Sequence, residues 1–394
     1  MTALPSWATR TVPERAVLAG GIVLGVILRA VQIATSIGTV DASNWLRHVL
    51  YVDQLGVLRA YPASRLINHP TLGLEVAYWS WKVGGALGLH FFDTFRILMS
   101  AADVVTALAL VALARHVGMK PVWVALVFFL SPASIFISAF HCNSDPLMVM
   151  FIVLALLATV RQRPIAAGLL IAAAVGIKII AFAALPLLLF GFRGWKARVQ
   201  FLLASAVLGA IVFVPPVIAS GWIAIRNVFG YTGWRGAWGF HLALNIIGFV
   251  FPQIVPKDSS TFLTPLLILA MLALWVVEAR RAFHGGLEPQ RLIRVTGLAF
   301  LLVLFLGPGF GVQYLMWLLP YPAFFLRRTQ TLILHGLISA FLFAVYTSWS
   351  HGWPWLWASG STNPVWVGVL GLVVWAAIGW AAASNARAIY ARAS

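Results

Sequence analysis

Residues 161–198 read RQRPIAAGLLIAAAVGIKIIAFAALPLLLFGFRGWKAR. Two basic clusters, Arg161/Arg163 and Arg193/Lys196/Arg198, bracket an apolar run with one charge, Lys178, near its middle. Basic clusters of this kind stay on one side of a membrane, so the chain must go out and return within the run. Each limb has about 14 residues, and a helix of that length reaches about 21 Å, short of a hydrocarbon core of about 30 Å. The turn therefore lies inside the membrane. Irregular backbone at that depth is tolerated only when it is buried in protein or lines a cavity. The hairpin predicts an internal site with Lys178 at its tip.

A second run, 295–326, behaves alike, with Gly307-Pro308-Gly309 and Gly311 near its middle. Beyond these, spanning-length apolar runs recur along all 394 residues, of which 61% are hydrophobic and 9% charged. The runs fall at about 16–36, 94–114, 119–138, 146–160, 164–177, 179–192, 199–219, 263–280, 294–308, 312–326, 330–348 and 365–383. A mean hydropathy of +0.93 and 18 Trp fit an all-α, polytopic helical membrane protein of about twelve segments with broken hairpins. Continuous rather than alternating apolar runs argue against a membrane barrel. The run Ala16–Ser36 reads as the first span and not as a cleaved signal. No soluble domain or repeat is visible, so residues 1–394 are expected to form a single integral membrane domain.

Charge orients it. With the N-terminus inside, the inner segments hold 17 basic residues and three acids, Glu14, Glu278 and Glu288. The outer segments and span interiors hold ten basic residues and seven acids. Both termini are therefore expected in the cytoplasm. The net charge of +17 follows from this topology and from anionic lipid headgroups, so membrane lipids are expected partners and nucleic acid is not. A lone cysteine, Cys142, excludes an intrachain disulfide. The Ala-, Arg- and Trp-rich composition suits a GC-rich bacterium and its plasma membrane. The first outer loop, 37–93, carries two amphipathic stretches, about 41–60 and 71–89, too charged to span and expected on the membrane surface.

Candidate chemistry collects on the outer side. Asp41, in Gly38-Thr39-Val40-Asp41, is the first acid after span one; it can accept a proton from a sugar hydroxyl or simply cap the next helix. Tyr61-Pro62 and Asn68-His69-Pro70 follow, and His69 can meet a phosphate or a sugar. His141-Cys142-Asn143-Ser144-Asp145-Pro146 is a dense polar junction between apolar runs, where Asp145 is also a plausible helix cap. Its spacing with Asp41 does not suit a metal, and no cofactor is expected. Lys178 below the surface is a natural partner for a lipid phosphate. Arg29 and Asp103 are also intramembrane and can pair as architecture. The stretch 222–241 places Trp234, Arg235 and Trp238 where aromatic faces can stack on a sugar and a guanidinium can fork onto an anion. Gln313 and Tyr314 are polar groups at membrane depth and are expected to face the same cavity.

In order and membrane side, these residues resemble the GT-C superfamily of polyprenyl-phosphate-sugar-dependent glycosyltransferases over most of the chain. Asp41 holds the place of the family's catalytic acid. Arg96 and Asp103 fit an Arg and an Asp near span two. His141 to Asp145 resembles a polar motif after span three, but matches neither the His-x-x-x-Asn nor the Gly-Gln-x-Asp version fully. Lys178 with Leu185-Pro186, and Gln313, Tyr314, Trp317 and Pro320, resemble later motifs. The resemblance implies inverting transfer of a hexose from a polyprenyl-phosphate donor to a glycan or lipid-linked acceptor, at an extracytoplasmic site. Asp41 would be the base, with Lys178, Arg235 and His69 at the donor phosphate. His141, Asn143, Asp145, Trp234, Trp238, Gln313 and Tyr314 would hold sugar or acceptor, without a metal. Two rival readings remain: a transporter or lipid flippase that uses Lys178 and the intramembrane acids as a coupling site, and a noncatalytic scaffold.

Overall fold

A computed structural model describes residues 13–231, 238–250, 253, 260–283, 285–359 and 364–391. Helix α1 (Glu14–Ala34) leads into a two-residue strand, β1 (Gly38–Thr39). The helices α2 (Val40–Leu55) and α3 (Thr71–Ala86) precede the long α4 (Phe91–His116). Helices α5 (Pro121–Phe129) and α6 (Pro132–Phe136) meet at a bend of 46°, and a π-helical turn, Ile137–His141, continues α6. Next come α7 (Asp145–Val160), α8 (Pro164–Ile177), a 3-10 segment (Ile179–Ala184) and α9 (Leu185–Phe190). The remaining helices are α10 (Trp195–Ser220), α11 (Trp222–Phe229), α12 (Gly239–Val250), α13 (Ser260–Ala282), α14 (Pro289–Leu306), α15 (Arg328–Trp349) and α16 (Val365–Tyr390). Two 3-10 turns, Val312–Trp317 and Pro322–Phe324, join α14 to α15, and strand β2 (Trp357–Ala358) lies between α15 and α16.

Among the described residues, seven helices are long and apolar enough to cross a membrane: α1, α4, α10, α13, α14, α15 and α16. The bent α5–α6 pair makes an eighth. Their outward apolar side chains, among them Ile27, Ile211, Ile218, Leu269 and Val369, are exposed, a surface that only lipid can cover. The chain is an integral membrane protein. One expected segment is corrected: 312–326 is a pair of 3-10 turns rather than a span, because a glycine- and proline-broken entry leaves no continuous helical ladder there. The outer-loop stretches do form helices, α2 and α3.

The 164–192 hairpin is broken as its length demands. Helix α8 stops at Ile177, Lys178 is extended (φ −152°, ψ 122°), and the chain returns through 3-10 turns and α9. Gln162 clamps the two inner ends: its side-chain amide donates to the Gly191 carbonyl at 2.9 Å and accepts from the Arg193 N–H at 3.1 Å. Helix α8 lies so close to α10 that a Cβ on Gly168 would strike the Phe201 carbonyl, the small-residue contact by which membrane helices approach.

Two buried arginines stitch the helices at one end of the bundle. Arg29 pairs with Asp103 at 2.8 Å and also donates to Ser134, Ser138 and the Phe129 carbonyl, so α1, α4 and α5–α6 share one polar node. Arg96 donates to the Ser36 carbonyl (2.8 Å), the Ile33 carbonyl (3.2 Å) and the Ala139 carbonyl (3.2 Å). It thereby satisfies the last turn of α1 and ties it to the π-helical turn. Asp103→Ala leaves the Arg29 charge buried without its partner. It is expected to cost about 3–5 kcal/mol and to lower the thermal midpoint of the detergent-solubilised protein; an unchanged midpoint would show the pair to be dispensable.

Candidate active site

Asp41 sits in the first turn of α2 but does not cap it. Thr39 does: its hydroxyl accepts the Asp41 N–H at 3.3 Å and donates to the His141 carbonyl at 2.8 Å. Gly38 makes this possible. Its φ of 118° is a backbone state L side chains avoid, and a Cβ there would lie 2.9 Å from the Phe140 carbonyl oxygen. Strand β1 also pairs in parallel with β2, Gly38 with Trp357 and Thr39 with Ala358. The carboxylate thus stands on a helix start whose preceding strand is pinned from two sides.

The π-helical turn and the left-handed Cys142 (φ 63°) turn the chain so that His141 and Asn143 both face Asp41. All three polar contacts go to one oxygen, Oδ2: Asn143 Nδ2 at 2.6 Å, His141 Nε2 at 3.1 Å and Gln313 Nε2 at 3.5 Å. The other oxygen, Oδ1, accepts no hydrogen bond among the described residues. The side chain is 27% exposed. The donors are themselves oriented. The Asn143 carbonyl oxygen accepts the Ser144 N–H at 2.7 Å, which fixes its amide. The Tyr346 hydroxyl meets His141 Nδ1 at 3.0 Å. Both ring nitrogens of His141 are therefore engaged, Nε2 by the carboxylate and Nδ1 by the hydroxyl. Burial pushes the Asp41 carboxyl up, but hydrogen bonds and charge from His141, the Asn143 amide and the Lys178 cation outweigh it and hold it at about 2.

Beside Asp41 lies an ion pair. Lys178 Nζ is 2.8 Å from both oxygens of Asp145, the first residue of α7. Trp317 Nε1 donates to Asp145 Oδ1 at 2.5 Å. The ammonium lies 4.6 Å from the centre of the Tyr314 ring, which stacks on Trp317 at 4.2 Å and 19°. Tyr231 stands beside Tyr314 and interacts with it. Two glycines permit the closeness. A Cβ on Gly73 would lie 3.0 Å from the Ile177 carbonyl oxygen, so α3 packs on the Lys178 turn. A Cβ on Gly311 would meet the Gln313 amide at 2.7–2.9 Å.

The structure therefore gathers Asp41, His141, Asn143, Gln313, Asp145, Lys178 and Tyr314. Asp145 is spent on Lys178 and Trp317, not on helix capping. His69 stacks on Trp45 at 4.3 Å, and its carbonyl accepts the Tyr61 hydroxyl at 3.0 Å. Burial and the Lys178 charge push its ring well below the ordinary histidine range, so it meets any ligand as a neutral group. Trp238 is buried, stacked on Phe310 at 4.0 Å and beside Phe341, and works here as core. Trp234 and Arg235 lie outside the described residues. Three side chains join the site without having been singled out as ligands: Tyr346, Trp317 and Tyr231. Trp317 and Tyr231 stand in stretches whose composition flagged them; Tyr346 sits in an ordinary apolar helix with no local signal.

Comparison with known proteins bears on this site. Residues 72–192 match the MptA_B family, alpha-(1->6)-mannopyranosyltransferase, N-terminal domain. The match takes in His141, Asn143, Asp145 and Lys178; Asp41 and Gln313 fall outside it. No curated protein sequence matches the chain. Among solved structures, the chain is similar to the Archaeoglobus fulgidus oligosaccharyltransferase in the apo form, at 12% identity and a TM-score of 0.47. That alignment covers 98% of this chain and 57% of the other, so the chain spans just over half of that protein's length. The family match covers less than a third of the chain, and four of the clustered polar residues lie within it.

The low Asp41 carboxyl has a measurable sign. An ordinary Asp titrates near 3.9, and a group lowered by folding adds stability above that value and loses it as pH falls toward the folded value, here about 2. The stability gap between wild type and Asp41→Asn is therefore expected to change as pH falls below about 4, where the wild type loses the contribution of its carboxylate. Thermal midpoints of the two proteins across pH check this; a gap that stays constant from about pH 5 down to about pH 2.5 contradicts it.

Proposed function

We propose that this protein is an inverting glycosyltransferase that moves a hexose from a polyprenyl-phosphate donor to the hydroxyl of a glycan or lipid-linked acceptor. Mannose is the first sugar to test, because the family matched over 72–192 carries that sugar in its description. The observation that carries the reading is the asymmetry of Asp41: among the described residues three donors hold Oδ2 and none holds Oδ1.

The chemistry follows from that arrangement. Asp41 Oδ1 takes the proton of the acceptor hydroxyl as its oxygen attacks the anomeric carbon. The bond from that carbon to the phosphate oxygen breaks, and the polyprenyl phosphate leaves with one more negative charge. A phosphate is already a weak base, so no protein acid need protonate it. Lys178 supplies the nearby positive charge. Two of its three protons are engaged by Asp145, which holds the ammonium in place and leaves one for the donor phosphate. His141, Asn143 and Gln313 act through Asp41, orienting its carboxylate, while Tyr314, Trp317 and Tyr231 offer aromatic surface to the sugar. Arg235 remains a further candidate for the phosphate. Reaction at this end of the bundle is read as extracytoplasmic, in a bacterial plasma membrane with both termini cytoplasmic, because 17 of the 27 Lys and Arg fall, by sequence, in the segments assigned to the other side.

Asp41→Asn keeps the hydrogen-bond geometry and removes the base. Purified protein in liposomes, given radiolabelled polyprenyl-phosphate mannose and a lipid-linked glycan, is expected to yield a mannosylated product, and the variant about 10²–10⁴-fold less at unchanged folding. Wild-type turnover by Asp41→Asn would remove Asp41 from the mechanism. Movement of labelled lipid across the bilayer with no product would favour a flippase.

A further inference from the structure

At the end of the bundle away from Asp41, α13, α14 and α16 leave an apolar groove of about 550 Å³. Leu298, Leu302, Ala383 and Ala386 line it, with Phe305 toward mid-span and Tyr390 at its end. The polar groups at that end are strongly imbalanced. Glu278 is fully buried and fully used: Arg291 forks onto it at 2.6 and 2.7 Å, and the Tyr390 hydroxyl donates to it at 2.8 Å. The guanidinium groups of Arg291 and Arg281 lie 5.3 and 5.5 Å from the Tyr390 ring. Arg281 is exposed, as are Arg280 and Arg387 in the last turns of α13 and α16. None of these three makes an ion pair among the described residues.

An apolar groove that ends in surplus guanidinium is complementary to an anionic amphiphile. Guanidinium forks suit phosphate oxygens, and the groove gives an acyl chain a place beside Leu298 and Leu302. We propose that this groove binds one anionic phospholipid, its chain between α14 and α16 and its phosphate at Arg281 beside Tyr390. The site is separate from the proposed sugar-transfer site and does not rest on that function. It does touch the same helix. Helix α14 runs from this mouth to the 312–317 turn that supplies Gln313, Tyr314 and Trp317, so a lipid here packs against the element on which that turn is mounted. A general attraction of basic residues to an anionic leaflet would act on every such arginine alike; the groove makes it local.

The full-length protein in detergent is offered phosphatidylglycerol or phosphatidylcholine, and the lipid it retains is counted by native mass spectrometry. One phosphatidylglycerol per chain is expected, in preference to phosphatidylcholine. Arg281→Gln is expected to lower retention about five-fold, the weight of one basic residue at an anionic surface. Ala383→Trp fills the groove from an exposed position and should lower it as much. Arg115→Gln, at the end of α4 and outside the groove, should leave it unchanged. Equal retention of phosphatidylcholine, or an equal loss in Arg115→Gln, overturns the site in favour of general charge attraction. Wild-type retention in both groove variants overturns it outright.

Discussion

The bidentate contact between Lys178 and Asp145 is the constraint around which one end of the molecule is arranged. A charge at membrane depth is costly and must be paired or reach water. Here the cation stands where α8 breaks and the anion where α7 begins, so one contact fixes two helix ends that face each other across the site. Trp317 completes the carboxylate's partners, and Tyr314 offers a ring face to the ammonium, which draws in the 3-10 turn after α14. The unwound backbone is tolerated because these side chains bury it in protein.

What could be read from sequence was what depends on local spacing and charge. Lys178 between two basic clusters gave the broken hairpin, since limb length alone forbids two full spans. Amphipathic patterning gave α2 and α3. What could not be read depends on partners far along the chain. Asp145 looked like a helix cap because its neighbours, Ser144 and Pro146, are those of a helix start. Its true partners lie 33 and 172 residues away. Tyr346 is 205 residues from His141 and sits in an apolar helix, so nothing near it announces a polar role. The stretch 312–326 was misread for a related reason. Its apolar composition reports burial, and burial is shared by a span and by a turn packed inside the bundle.

Asp41 shows how the same residue can serve two readings until the geometry separates them. An aspartate at the start of a helix is an ordinary cap, yet Thr39 takes that duty and the aspartate is released for other contacts. Those contacts converge on a single oxygen. Among the described residues none holds Oδ1, so that oxygen is what gives the proposed role as a base its geometry. The low carboxyl titration point belongs to the same arrangement, because donors on Oδ2 favour the charged form.

The scaffold beneath the site explains why that geometry can be held at broken helix ends. Interrupted helices leave carbonyls without amide partners, and in a bilayer water cannot satisfy them. Arg96 takes three such carbonyls at once, from Ile33, Ser36 and Ala139. The first two belong to the chain that leads into the Asp41 strand, and the third to the turn that carries His141. One guanidinium therefore sets the separation between the carboxylate and its imidazole donor without touching either. Arg29 repeats the device one layer deeper, where Asp103 balances its charge and the Phe129 carbonyl at the α5–α6 bend is satisfied. Irregular backbone, which membrane depth normally forbids, is made stable by arginines that serve as surrogate amides, and the freedom this creates is where the polar side chains of the site are placed.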